Sequence, residues 1–392
     1  MSETHAAAQE LRYELPTRLD TNNAEEVLES LKATGAFGHE GTVVLDAAHT
    51  AYVSSAGLRV ILRLMKSTHV RIDDVLSEVY DVFEMTGFTE MVEVRKALRS
   101  VSVEGCEVIG TGANGTVYRI DPETIVKVYA KPDALPEIKR ERELARRAFV
   151  MGVPTAIPYD VVRVGDLYGS VFELLNAKSF DQLLVEGEMS VDDVAQESAE
   201  ILHQMHDNVV TDGLLPDCRE ELLDKLPRLE GSIGPDALDR LRSLLEAMPA
   251  CKHMLHGDFH VKNVMVQAGE SLLIDMDTLC VGDPIFEFAG MYRPYVSFPE
   301  ADPGNLEIFF GLPDAAGRQI WEKTLRRYFA DQDDAFLAQV TERARLLADV
   351  HMLASFCPKA ATSERAQRFV EYYAPDLEEL LLRVDALALP HV

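Results

Sequence analysis

At 392 residues the chain is too long for one average hydrophobic core and calls for two or three compact units. Its composition, 47% apolar and 27% charged, is ordinary for a globular protein, and no apolar run approaches the ~20 residues of a membrane-spanning helix. The net charge of −28, from 66 acidic and 38 basic residues, excludes a nucleic-acid partner, whose phosphates demand a basic surface. The excess acid favours cationic ligands, but its spread along the chain suits ordinary solubility equally well. The five cysteines are scattered and form no C-x-x-C pair, so buried reduced thiols are expected rather than zinc ligands or a disulfide framework. Residues Met1 to Glu10 lack a basic stretch followed by an apolar one, so no secretory leader is expected and the chain is read as cytoplasmic.

In chain order, Leu11 to Leu15 reads as a strand, followed by the turn- and cap-rich Arg18-Leu19-Asp20-Thr21-Asn22-Asn23. Ala24, Val27, Leu28 and Leu31 recur at helical spacing, and Gly35 and Gly38 end that helix. Thr42 to Asp46 is a buried strand. Tyr52 to Leu58 leads into a second helix with Leu58, Ile61, Leu62 and Met65 on one face, and a third helix spans Leu76 to Met85. Strands alternating with helices over so short a stretch imply a small α/β unit.

Four motifs in this unit are Arg18-Leu19-Asp20-Thr21, Val44-Leu45-Asp46, Val53-Ser54-Ser55-Ala56-Gly57-Leu58, and Val82-Phe83-Glu84-Met85-Thr86-Gly87-Phe88. In that order they resemble a STAS domain, the anti-sigma-factor-antagonist fold, over residues 8–100. The resemblance implies a regulatory phosphosite at Ser55, although Ser54 stands where phosphorylated members carry aspartate. The simpler reading is that Ser54 or Ser55 caps the helix, at ~1 kcal/mol.

The second unit opens with the strand Glu107-Val108-Ile109, which runs into Gly110-Thr111-Gly112-Ala113-Asn114-Gly115 and then a second strand, Thr116 to Ile120. A dinucleotide fingerprint needs a helix after its glycines, whereas a kinase phosphate flap needs a strand, so the β-rich continuation favours the flap. Thr124 to Tyr129 is an apolar strand interrupted by Lys127, an ammonium that invites a functional partner. The next helix, about Ala134 to Met151, places Glu141 on its apolar face, which makes it the candidate partner. An ordinary surface ion pair is the alternative. Val161 to Val164 and Gly169 to Leu175 read as a hairpin, and a kinase-like hinge at its end would present the Glu173 carbonyl and Leu175 N–H to an adenine edge. From Val191 onward the pattern is helical, and His203 and His206 read as packing or surface residues because no third metal ligand is evident.

The stretch His256-Gly257-Asp258-Phe259-His260-Val261-Lys262-Asn263 sets a carboxylate and an amide in one polar turn, and Asp275 follows the next apolar strand. A carboxylate to take a hydroxyl proton, with an amide and a second carboxylate to hold Mg²⁺, are the parts phosphoryl transfer needs. The string matches H-G-D-x-H-x-x-N. Together with Ile274-Asp275-Met276-Asp277 and Gly282-Asp283-Pro284-Ile285-Phe286-Glu287-Phe288-Ala289, it resembles the aminoglycoside/choline phosphotransferase superfamily over about residues 105–300. Only residues 276–281 separate Asp275 from Gly282, too few for a protein-kinase activation segment, so a small hydroxylated acceptor, including cationic ones, is favoured over a protein.

The expected architecture is an α/β STAS domain (1–102) followed by an α+β bilobal kinase-like fold. Its small lobe spans 103–176 and its helical lobe 177–392. The resemblance implies ATP and Mg²⁺ as cofactors. Asp258 is the catalytic base. Gly110, Gly112, Gly115, Lys127, Glu141, Glu173 and Leu175 surround the nucleotide, and Asn263 and Asp275 serve the metal. His256 and His260 are read as structural, and Asp283 as a buried aspartate bonding loop backbone. The alternative is a signalling kinase acting on a serine of a STAS partner or on its own Ser55.

Overall fold

Leu11–Glu14, Thr42–Asp46, His69–Val75 and Glu93–Lys96 pair in that order, all parallel. The computed structural model that shows this describes residues 10–112 and 115–389. Met1–Gln9 and the glycine-loop tip Ala113–Asn114 lie outside the described residues. Helices Ala24–Ala33, Ser55–Met65 and Ser77–Met85 turn Leu28 and Leu31, Ile61 and Leu64, and Val79 and Phe83 into the core. The Ser54 hydroxyl accepts the Ala56 N–H at 3.2 Å, so Ser54 is the cap and Ser55 stands exposed as the first helical residue.

Two of the four strands, His69–Val75 and Glu93–Lys96, carry charges that hide them from an apolar pattern. Arg71 joins Asp73 at 3.0 Å and Glu10 at 2.8 Å, so these charges are met by partners. Contacts divide the chain into two compact units, Met1–Ser102 with Val161–Asp166, and Val103–Asp160 with Leu167–Val392. Within the first of these, Val162 and Arg163 pair in parallel with Arg99 and Ser100.

In the second unit Glu107–Gly112, Gly115–Asp121, Thr124–Tyr129 and Leu167–Glu173 form antiparallel neighbours, and helix Leu135–Val150 buries Ile138, Glu141, Leu144 and Ala145. The helical part is built around Val191–His206, Ile285–Tyr292, Asp314–Tyr328, Asp334–Phe356 and Glu364–Arg383. Ser190 and Asp193 close a capping box on the first of these, satisfying orphan N–H groups reciprocally. No helix among the described residues is long and apolar enough to cross a membrane. Among the described residues no cysteine is in a disulfide; Cys280 is buried, but the other four are only half-buried, short of the burial expected of them.

One core carboxyl sets a pH dependence. Asp349 is 1% exposed, and burial and then the neighbouring Asp376, itself 2.6 Å from Arg345, hold it well above the usual carboxylate range. The folded state therefore keeps a proton that the unfolded chain releases near pH 4, and stability falls as pH rises from there toward the folded value. Asp349→Asn keeps a donor for Asp376 and removes that slope. Its Tm is expected to exceed that of the wild type at pH 8 and to approach it at pH 5, whereas Asp349→Ala lowers Tm at both.

Candidate active site

Two short antiparallel strand pairs hold the polar turn. His253–Leu255 pairs with Cys280–Gly282, and Val264–Gln267 pairs with Glu270–Leu273. Between them the His256 N–H donates to Glu287 Oε2 at 2.5 Å and the Gly257 N–H to Glu287 Oε1 at 3.1 Å. The fully buried His256 ring places Nε2 3.0 Å from the Ile274 carbonyl, while the Thr278 hydroxyl donates to the His256 carbonyl at 2.8 Å. Gly257 has φ +82°, and a Cβ there would stand 2.5 Å from the Thr278 carbonyl oxygen, so only glycine fits. The Tyr295 hydroxyl accepts the Val261 N–H at 2.9 Å. Neither Glu287 nor Tyr295 was singled out from the sequence. A lone glutamate within the apolar run Ile285 to Tyr292 was the available signal for the first. Asp283 is buried and accepts the N–H groups of Ile285 and Leu389 at 2.9 and 3.1 Å.

Asp258 projects from this frame with its side chain half-exposed. Its carboxylate lies 3.5 Å from His260 Nε2 and 3.7 Å from Arg293 Nη2, the latter also unanticipated. Burial acts to raise its pKa, but the hydrogen bond and charge of His260 and the charge of Arg293 outweigh it and pull Asp258 down to about 2. Asn263 Nδ2 donates to the Asp258 carbonyl at 2.9 Å, which leaves its amide oxygen as the atom available to a cation. The Ile274 N–H donates to the Asn263 carbonyl at 3.0 Å, tying that residue to the one before Asp275.

Lys127 closes the other side of the site. Its Nζ stands 2.5 Å from Asp275 Oδ1 and 3.2 Å from Glu141 Oε1. Glu141 is 6% exposed, and its second oxygen accepts the Tyr129 hydroxyl. Burial would lower the lysine pKa, but the Asp275 and Glu141 carboxylates hold it well above the ordinary value, so the ammonium stays charged. Burial, then the charges of Glu141 and Asp275, push Asp277 up to about 6. Asp275 itself sits at φ 57°, ψ 59°, a left-handed conformation that costs a non-glycine residue ~1–3 kcal/mol and is concentrated at functional sites.

The glycines edge the same sheet. A strand, not a helix, follows them, and a Cβ on Gly115 would meet the Val128 carbonyl oxygen at 2.1 Å, whereas Gly112 faces open space. Gly110 lies within the preceding strand. Glu173 ends Leu167–Glu173, and the next N–H, of Leu174, donates to the Glu123 carbonyl at 2.7 Å; Leu175 follows, half-buried. The structure thus gathers Lys127, Glu141 and Asp275 in direct contact, and Asp258 with Asn263 on the adjoining loop. Glu173 and Leu175 take no part in those contacts among the described residues, and Ser55 belongs to the other unit. His206, with Nδ1 2.8 Å from the Tyr328 hydroxyl, is buried in the helical core, whereas His203 stacks on Tyr328 from the exposed side.

A STAS-domain family model matches residues 3–101, and the model described as "Phosphotransferase enzyme family" matches residues 105–321. Among solved structures the chain is similar to the ADP-bound aminoglycoside phosphotransferase APH(2'')-Ib, at 17% identity and TM-score 0.48, covering 77% of this chain and 98% of that one. It is similar also to the streptomycin–ATP ternary complex of APH(2")-IIa (16%, TM-score 0.48, 77% and 97%). A third is a thermostable mutant of aminoglycoside phosphotransferase APH(4)-Ia in ternary complex with ADP and hygromycin B (15%, TM-score 0.45, 79% and 96%). No curated protein matches. With its model spanning more than half of the 392 residues, the chain belongs to the phosphotransferase enzyme family and carries a STAS domain ahead of the phosphotransferase domain.

Proposed function

We propose that the chain transfers the γ-phosphoryl group of ATP to a hydroxyl of a small molecule, with the STAS domain as a regulatory element. The observation that carries this reading is the constellation of an ionised Asp258 on a buried, hydrogen-bonded loop beside the Lys127–Glu141–Asp275 cluster. Asp258 would align the acceptor hydroxyl and receive its proton as the oxygen–phosphorus bond forms and the bond to the ADP leaving oxygen breaks. Lys127, held by Glu141, would meet the nucleotide phosphates, and the glycine hairpin would cover them with backbone N–H groups. Glu173 and Leu175 are the proposed adenine-edge contacts.

Mg²⁺ fits the donor set. Among the described residues no cluster of three or more His, Cys, Asp or Glu could hold a metal alone, and the hard oxygens of Asn263 and Asp275 suit a cation that completes its shell with phosphates and water. When bound it would neutralise phosphate charge. Lys127→Met removes a charge-assisted contact worth ~1.5–3 kcal/mol and is expected to weaken ATP binding ~10–100-fold, read by isothermal titration. The reading itself is tested by incubating the protein with labelled ATP–Mg²⁺ and hydroxylated acceptors; no binding of ATP–Mg²⁺ would end it.

The second reading, phosphorylation of a STAS serine, draws on Ser55. Ser54 performs the capping, so the exposed Ser55 hydroxyl is not needed for it, and a phosphate there would sit on a helix N-terminus. Labelled phosphate that reaches wild type but not Ser55→Ala or Asp258→Asn would select this reading.

A further inference from the structure

Resting on the phosphotransferase reading, we propose a chemical class for the acceptor: a small alcohol with an apolar body about the size of a substituted ring, bearing no positive charge. Its hydroxyl oxygen attacks the γ-phosphorus, the proton passes to Asp258, ADP leaves, and the product is a phosphate monoester.

The pocket that contains Asp258 has a volume of about 270 Å³, below the ~300–1,000 Å³ usual for drug-sized ligands. Its walls are Phe298, Leu306, Phe309, Phe310 and Met352. Phe310 packs at a tilt against His260, two residues after Asp258, with ring centroids 5.3 Å apart. The rim is apolar too, since Phe309, one of the lining residues, is 51% exposed on the short helix Asn305–Phe310. That helix is pinned at its start. The Gly304 N–H donates to Asp314 at 2.8 Å and Asn305 Nδ2 to Asp302 at 3.0 Å, so the apolar rim is a held surface.

The charges in the pocket oppose a cationic guest. Asp258 is the one acid among the lining residues, and Arg293 Nη2 already lies 3.7 Å from it. Lys262 Nζ sits over the outer wall, 5.6 Å from the Phe310 ring centre. An ammonium seated here would meet Arg293 without a free carboxylate to offset the repulsion, despite the −28 net charge of the whole chain. A polyol would press its additional hydroxyls against phenyl and leucine walls that offer them no partner. What polar capacity remains is small: among the described residues, Asn305 Oδ1, on a side chain 2% exposed, and Arg293 Nε have no hydrogen-bond partner. One hydroxyl, an apolar body and at most an anionic substituent toward Arg293 match this lining.

The test uses the full chain with ATP–Mg²⁺ and reads phosphorylated product by mass spectrometry. The acceptor sets are 3-phenylpropan-1-ol and 4-(hydroxymethyl)benzoate; choline, 4-(aminomethyl)benzyl alcohol and kanamycin; and glucose and glycerol. The first set is expected to be turned over, with kcat/KM for the benzoate at least tenfold above the matched amine. Phe309→Asp, at an exposed rim position, is expected to raise KM for 3-phenylpropan-1-ol at least tenfold. Arg293→Glu is expected to invert the benzoate-to-amine ratio, a comparison made within one variant and so independent of its yield. Turnover led by the cationic or polyol sets, or ratios indifferent to both substitutions, overturns the acceptor class while phosphotransfer stands. No product from any set overturns the proposal as well, and ATP–Mg²⁺ binding measured alongside tells whether the underlying reading falls with it.

Discussion

Asp258→Asn is expected to lower kcat by ~10²–10⁴-fold, the range a positioned acid–base group supplies, with little change in KM for ATP. The amide preserves the shape of the loop, because Asn263 binds the backbone carbonyl of residue 258 rather than its side chain. What it loses is the capacity to accept a proton. Held at about 2, Asp258 is a weak base in the ground state. That suits a loose phosphoryl-transfer transition state, in which the nucleophile gives up its proton late. The same depressed pKa makes a second expectation for the pH profile. The acid limb of kcat/KM should show no break from this residue near the ordinary carboxylate value of ~4, since Asp258 stays ionised until pH approaches 2. Single-turnover rates of the variant decide the point; a rate within about threefold of wild type would remove Asp258 from the chemistry.

Glu287→Ala is expected to be the more damaging change to the fold, at ~3–5 kcal/mol, with activity lost as well. The carboxylate is fully buried and receives the N–H groups of both His256 and Gly257, the two residues that set the entry of the loop. His206 Nε2 lies 3.9 Å away, and burial pushes that ring below its ordinary pKa while Glu287 acts to raise it. Truncation leaves the buried His256 N–H and the half-buried Gly257 N–H without this acceptor, and a void beside the apolar helix Ile285–Tyr292. Glu287→Gln, which keeps an acceptor oxygen, should cost less than half as much. Urea midpoints at constant m-value separate the two variants, and an alanine variant as stable as wild type would show that the loop is held by other groups.

Much of this was legible in the chain. The strand Thr42–Asp46, the strand Thr124–Tyr129 and the helix Val191–His206 follow from periodicity and caps that act within one element. The STAS strands at His69–Val75 and Glu93–Lys96 did not, because Arg71, Asp73 and Arg95 break the apolar pattern, and Asp73 meets Arg95 of the neighbouring strand, at 3.7 Å, only once the sheet has formed. Lys127 and Asp258 stood out as charges in apolar frames. Arg293 and Tyr295 did not, for nothing local marks an arginine that approaches Asp258 or a hydroxyl that serves Val261 from 34 residues away.

The sequence by itself determined the order of the units, the glycine hairpin followed by a strand, and the carboxylate–amide turn, since each depends on residues close along the chain. Tertiary structure alone decided which charges meet: Lys127 with Asp275 across 148 positions, Glu287 beneath His256, and Arg293 beside Asp258. It decided the pocket beside Asp258 in the same way, because an apolar wall assembled from Phe298, Phe309, Phe310 and Met352 exists only once three separate helical segments converge on Asp258. Local propensity sets elements; burial and Coulomb forces between distant residues set the site.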